Sequence, residues 1–288
     1  MRRPSFLSRA VVLLVVLCVP TLAQAASYLR VVSWNLRHEG WSAEQTYLDD
    51  AKQLWNQFGA NSTSNNGCDL VFLQEVMNAS VMPAIAQALT QVSGVSWSYA
   101  QTPLIGRSSY KEMYAVLYRT DTVSLLSSTV YSDTGDKFER EPQIVKVRHT
   151  PTGADYTFIN WHAIWGTAAE RDVEVRNIDT VFKSVQDGSG TDQDVILLGD
   201  HNMACTGASW TELAGLAPAV SCRLDVATTI NLSGAFVSAY DHFWMQNTYV
   251  TEFSTVGRDY IANMSDFVTR LADHAPVYLS LYSSSDTD

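Results

Sequence analysis

Several polar residues stand where the surrounding runs call for apolar ones. VVSWN ends its apolar run at Asn35, LVFLQE ends at Glu75, FINWH ends at His162, and VILLGDHN delivers Asp200 and Asn202. SAYD supplies Asp241, and LADHAPVYL opens with Asp273 and His274. A carboxylate or amide at the end of a buried strand is costly unless it is paired or holds a cation. One such residue is ordinary capping chemistry. Their recurrence along the chain points instead to oxygen ligands for a hard divalent cation. It also supplies imidazoles that can move protons near neutral pH. No Cys/His cluster has zinc spacing, which argues against zinc.

The period of a strand sorts the residues of GDHN. Residues two apart share a face, so Asp200 and Asn202 point one way and His201 the other. His201 is expected as a partly buried imidazole with a local hydrogen bond, outside any site on the Asp200 face.

The elements that must position these groups are mostly strands. LRVVSWNL, CDLVFLQEV, YAVLYR, VSLLSSTVY, QIVKVRH, DYTFINWHAI, DVILLGDHN, YDHFWMQ and PVYLSLY are β-branched or aromatic runs bounded by turn formers. Helical spacing runs over Ala43–Phe58, Val81–Val92 and Ala168–Val185. ANSTSNNG reads as a polar loop and SSSDTD as a frayed tail. Helices between some strands and direct succession of others predict an α/β or α+β domain with mixed sheets. Trp34, Trp161, Trp165 and Trp244 are expected in its core.

Residues 1–25 read as a secretory leader: Arg2, Arg3 and Arg9, an apolar run from Ala10 to Val19, and an A-x-A site ending at Ala25. Residues 26–288 then form a single domain, exported to a periplasm or outside the cell. Loss of the three arginines takes the formal charge from −11 to −14. So acidic a chain excludes a broad basic nucleic-acid surface; a polyanionic substrate must be met by a few arginines and a bound cation. Of the remaining cysteines, Cys205 and Cys222 suit a disulfide and Cys68 a buried thiol.

Taken in order, WN, QE, YKEMY, REP, WH, GDHN, YD and ADHAP resemble the endonuclease/exonuclease/phosphatase superfamily. GRSSYKEMYAVLYR and FEREPQIVKV are most similar to its deoxyribonuclease I family, and the resemblance runs from Val31 to Leu281. It implies a four-layer sandwich of two mixed sheets flanked by helices, and a monomeric endonuclease that hydrolyses DNA, and some RNA, to 5′-phosphates with Mg²⁺ or Mn²⁺. By position, it implies metal binding by Glu75, Asn35 and Asp273. It pairs His162 with Glu112 and His274 with Asp241 as the acid and base, beside Asp200 and Asn202. Arg37, Tyr110, Arg140 and Tyr240 match residues that touch nucleic acid, and Asp133, Asp136 and Glu141 a structural Ca²⁺ site. Cys205 falls at a disulfide position of the family, whereas Cys222 aligns poorly with its expected partner.

The chain departs from the family pattern at three single residues, and its loop before FEREP is shorter and lacks a small disulfide. Met77 replaces a groove-reading arginine, His201 a phenylalanine, and His242 an arginine. Two other readings compete: a phosphodiesterase or phosphatase of the same fold acting on a lipid headgroup, for which WMQNTYVTEF offers aromatic character, and the active subunit of a nuclease-like toxin.

Overall fold

Twelve strands carry the fold in the computed structural model, which describes residues 28–41, 46–57, 67–188, 190 and 193–286. The leader and all but the last residue of the ANSTSNNG loop lie outside the described residues. One six-stranded sheet has the order β11-β12-β1-β2-β4-β3 and the other β5-β6-β7-β8-β10-β9. Their ranges are β1 Leu29–Glu39, β2 Leu70–Val76, β3 Trp97–Gln101, β4 Met113–Arg119, β5 Val123–Val130 and β6 Gln143–His149. The second half contributes β7 Asp155–Asn160, β8 Val195–Asp200, β9 Val220–Cys222, β10 Asp241–Gln246, β11 Phe253–Arg258 and β12 Val277–Leu281. Each sheet centres on a parallel pair, β1 with β2 and β7 with β8, and its other ladders are antiparallel.

Alternation along the strands builds four layers. Val31, Leu70, Phe72 and Val116 of the first sheet meet Val145, Phe158, Ile196 and Phe243 of the second in one core between the sheets. Phe72 and Phe158 touch across it with ring centroids 4.9 Å apart. Their intervening neighbours face outward. Val32, Trp34 and Leu73 pack beneath the helices Val81–Ser93 and Met264–Arg270. Ile159, Leu197 and Trp244 pack beneath the helices Ala168–Arg176 and Ile178–Gly188. Each fully buried Leu, Val or Phe contributes about 1.5–3 kcal/mol, and every strand of the central pairs is buried on both faces, as a parallel pair requires.

Some expectations shift. The helical run expected over residues 43–58 is helical at Tyr47–Lys52 and continues as a wider π turn at Gln53–Gln57. The run from Ala168 to Val185 breaks at Asn177 into two helices. The tail is not wholly frayed: Ser283–Ser285 makes a short 3₁₀ turn, and the Tyr156 hydroxyl meets a buried Ser283 hydroxyl at 3.1 Å.

Following the inner-face series to one end of the sandwich locates the site. Tyr156, Phe158 and Asn160 lead to His162; Ile196 and Leu198 lead to Asp200; Val31 and Ser33 lead to Asn35. The antiparallel neighbours enter at the same end, with Glu112 before Tyr114 and Val116, and Asp241 before Phe243 and Met245. A buried polar layer separates these groups from the apolar core. Gln74 donates to Asn160 Oδ1 at 2.7 Å and to Ser33 Oγ at 3.2 Å, and Asn160 donates to Gln143 Oε1 at 3.1 Å. Such a network, bridging both sheets, fixes how they slide relative to one another. Gly199 (φ +133°) is needed for the β7–β8 approach, because a Cβ there would collide with the Trp161 carbonyl.

Candidate active site

Two histidine–carboxylate pairs face each other across the sandwich end. His162 Nδ1 lies 2.8 Å from Glu112 Oε1, and His274 Nδ1 lies 2.8 Å from Asp241 Oδ2. Their Nε2 atoms converge on one oxygen, Asp200 Oδ2, at 3.6 Å from His162 and 3.5 Å from His274. A carboxylate on Nδ1 fixes the tautomer and leaves Nε2 to exchange a proton with whatever lies between the rings.

The supports of each imidazole are buried. Tyr114 Oη accepts from the His162 backbone N–H at 3.0 Å, and Arg140 donates to the carbonyls of His162 and Ala163 at 3.3 and 2.9 Å. Trp34 Nε1 donates to the His274 carbonyl at 2.8 Å, while Thr228 Oγ1 donates to Asp241 Oδ2. Burial disfavours both imidazolium ions, yet both pKa values rise. Glu112 outweighs burial at His162; Asp241 and Asp200, with Asp273 adding, lift His274 well above the usual range. Glu112 is held low despite its own burial, by the charges of His162 and Arg140.

Glu75 joins the site by breaking alternation. On a regular strand it would share the outer face with Leu73, but its left-handed φ of +57° and the bulge after Leu73 turn it inward. Asn35 Nδ2 then donates to Glu75 Oε1 and Asp200 Oδ2, both at 2.9 Å, and Glu75 Oε1 lies 3.9 Å from His162 Nε2. Of the five non-glycine residues with positive φ among the described residues, four (Arg37, His38, Glu75 and Asn202) border this cluster, which is where strain accumulates in working sites.

Two carboxylates held this close in a buried cleft fit a hard divalent cation, and the donors are oxygens. Asp200, Asp241 and His274 form a converging set of ligand atoms, although Asp241 and His274 already bond each other. Glu75 and Asp200 are the residues that would hold such a cation. Asn35, expected as a ligand, presents its amide N–H₂ to both carboxylates while its oxygen accepts from the Arg37 backbone. It braces the two carboxylates that would hold the cation. Asp273 is half-buried beside His274, and its charge acts there.

Other sequence expectations are corrected. Arg140 is 4% exposed, its guanidinium 3.5 Å from Glu112 and engaged by two carbonyls, so it braces the His162 loop rather than presenting a surface charge. Arg37 Nη1 donates to the Val268 carbonyl. Asn202 lies beside Asp200, whose Oδ1 accepts its backbone N–H, and its own side chain donates to the Ala163 carbonyl. Tyr110 sits over Arg140 near Glu75, and Tyr240 beside Trp165. The trio Asp133, Asp136 and Glu141 does not gather as a calcium site: Asp133 accepts the backbone N–H groups of Gly135, Lys137 and Phe138, Asp136 extends into solvent, and the three form no converging set among the described residues. A disulfide joins Cys205 to Cys222, and Cys68 is a buried thiol. Trp244 is buried against Trp210, so WMQNTYVTEF offers no membrane-facing tryptophan, and no described helix is long and apolar enough to cross a membrane. Sequence reasoning missed His38, whose backbone N–H and Nε2 both reach Glu75 Oε2, at 2.9 and 3.2 Å. It also missed Glu174, which accepts the Glu139 and Ile164 N–H groups and ties the two loops that carry Arg140 and Trp165.

His201 lies on the outer face, fully buried among Trp161, Trp210 and His242. Neither ring nitrogen finds a hydrogen-bond partner among the described residues, contrary to the local bond expected. Burial, reinforced by His242 and His162, holds its pKa well below 6.5. A histidine kept neutral this way contributes stability above its unfolded pKa of about 6.5 and loses it as the pH falls. His201→Phe removes two orphaned polar atoms, and we expect it to gain about 1–3 kcal/mol. Thermal unfolding should show a higher midpoint for the variant at pH 7.5 and a wider gap at pH 5. A midpoint lowered by the change at both pH values would refute this placement.

No protein-family profile matches the chain. It is 28% identical to a deoxyribonuclease of Thioalkalivibrio sp. (strain K90mix), over 94% of this chain and 75% of that protein. It is 33% identical to mouse deoxyribonuclease-1-like 1 over 152 residues, 52% of this chain and only 46% of that relative's length. Human deoxyribonuclease-1 matches at 28% identity, covering 66% of each chain. Among solved structures, an endonuclease/exonuclease/phosphatase family protein from Bacteroides thetaiotaomicron superposes with a TM-score of 0.60 at 18% identity, over 88% of this chain and 97% of that one. Zebrafish (D. rerio) TDP2 with a single-strand DNA product superposes at 0.57 and 19% identity, over 88% and 98%.

Proposed function

We propose, from a fold of the endonuclease/exonuclease/phosphatase type and a sequence similar to deoxyribonucleases, that this chain is a secreted, divalent-metal-dependent endonuclease. Its substrate is nucleic acid, DNA before RNA, and its products carry 5′-phosphates. The observation that carries the reading is the convergence of two carboxylate-held imidazoles on Asp200 beside Glu75. Phosphodiester hydrolysis needs a water in line with the leaving oxygen, charge stabilisation on the non-bridging oxygens, and a proton for the leaving group. A bound Mg²⁺ or Mn²⁺ supplies the charge stabilisation. A cation on Asp200 would offset one of the charges that lift His274; in its neutral form His274, oriented by Asp241, accepts the proton of the attacking water, and His162, oriented by Glu112, returns one to the departing 3′ oxygen. Asp200, bonded by Asn35, keeps both Nε2 atoms directed into one space. Export is proposed from the leader pattern, and the Cys205–Cys222 disulfide suits an oxidising compartment.

The deciding experiment is nicking of supercoiled plasmid by pure mature protein, with Mg²⁺ or with EDTA. Metal-dependent nicking with 5′-phosphate ends is expected. No nicking in any divalent metal, with turnover of phospholipid or phosphoinositide vesicles instead, would replace this reading by the lipid-headgroup one.

A further inference from the structure

Trp34, Trp161 and Trp244 are core residues as expected, but Trp165 is 66% exposed, and Trp41 is 63% exposed. An indole left in solvent is uncommon, and these two flank one site. Trp41 follows β1 on the Glu75 side; its ring stacks on His38 at 4.7 Å and meets the edge of Tyr110 at 5.6 Å. His38 is itself pinned to Glu75. Trp165 stands three residues past His162 in the loop that follows β7, with Tyr240 at 6.3 Å and the Arg171 guanidinium 5.7 Å from its ring. Arg171 also donates to the carbonyls of Trp165 and Gly166. The Trp41 ring is thus held by a neighbour bonded to Glu75 and the Trp165 ring by Arg171 and Tyr240, yet both remain open to solvent.

Of the two arginines expected to touch nucleic acid, Arg140 is buried and Arg37 donates to the Val268 carbonyl; Met77 is buried at the groove-reading position, and the chain carries a net −11. Duplex binding depends on neutralising phosphates, whereas stacking of an unpaired base on an aromatic ring does not. Bases locked in a duplex cannot offer their faces to either indole.

We propose that Trp41 and Trp165 are stacking platforms for unpaired nucleobases on the two sides of the scissile phosphate, making single-stranded nucleic acid the preferred substrate. This rests on the phosphodiesterase reading above, and its test separates the two. An end-labelled oligonucleotide, its duplex, and the same strand with abasic sites at its centre are compared twice: for binding in EDTA by fluorescence anisotropy, and for cleavage in Mg²⁺. Single strands should be cut at least about ten-fold faster (kcat/KM) than the duplex, and Trp41→Ala and Trp165→Ala should each weaken single-strand binding by about 5- to 150-fold. Duplex binding should change much less, the phenylalanine variants should recover most of the loss, and unfolding midpoints should stay level because both rings are exposed. Equal cutting of both strands forms, equal losses on both, or undiminished binding of the abasic strand would each overturn the proposal. Cleavage without strand preference sinks this inference alone; selective binding of single strands without cleavage in any metal sinks the hydrolase reading and upholds the platforms.

Discussion

His162→Ala and His274→Ala should each lower kcat for strand cleavage by about 10²- to 10⁴-fold, the range for losing a positioned acid or base. The two Nε2 atoms approach the same Asp200 oxygen from opposite sheets, at 3.6 and 3.5 Å, so neither ring sits where the other could stand in for it. The double variant should fall little below the worse single one, because groups acting in one step are not additive. A modified leaving group tells the two roles apart. Sulfur in place of the 3′ bridging oxygen needs no proton to depart, so such a substrate should recover most of the loss in His162→Ala and little in His274→Ala. Rescue of His274→Ala instead would exchange the roles. Glu112→Gln and Asp241→Asn remove the charge that lifts each imidazole while nearly preserving shape. They should shift the pH–rate profile as well as lower its maximum. A pure loss of folding would do neither without also lowering the unfolding midpoint.

EDTA should abolish cleavage, and divalent cation should stabilise the fold itself. Glu75 and Asp200 are held together by one amide in a cleft that burial makes expensive for anions. A cation bound only by the folded chain adds about 2.7 kcal/mol at one hundred times its Kd. The unfolding midpoint should therefore rise with Mg²⁺ or Mn²⁺ concentration and fall back with EDTA. Glu75→Gln should flatten that dependence and abolish cleavage together. Asn35→Ala should weaken both less completely, because Asn35 carries no charge and acts by donating its N–H₂ to the two carboxylates. A midpoint indifferent to metal in the unaltered protein, with cleavage surviving EDTA, would remove the cation from the site.

Much of this was legible in the residues. Period-two alternation placed Asp200 on the inner face and His201 on the outer, and both lie there. Nine strands were readable because they are long or apolar on at least one face. The three that were not, β3, β9 and β11, all lie at sheet edges, where partial exposure removes the apolar signal. The polar strand ends announced a site because charge in a buried run needs a reason.

What only the tertiary structure decided is non-local. Glu75 faces the site through a left-handed backbone and a bulge, against the alternation that served elsewhere. Arg140 lies buried and Trp165 exposed, each opposite to its expected place. Asn35 and Asp200 meet across 165 residues of sequence through strand pairing and the stacking of two sheets. Alternation is a property of one strand and can be read from a few residues. Which strand ends meet, and which side chains they cover, is settled only when both sheets close on a shared core.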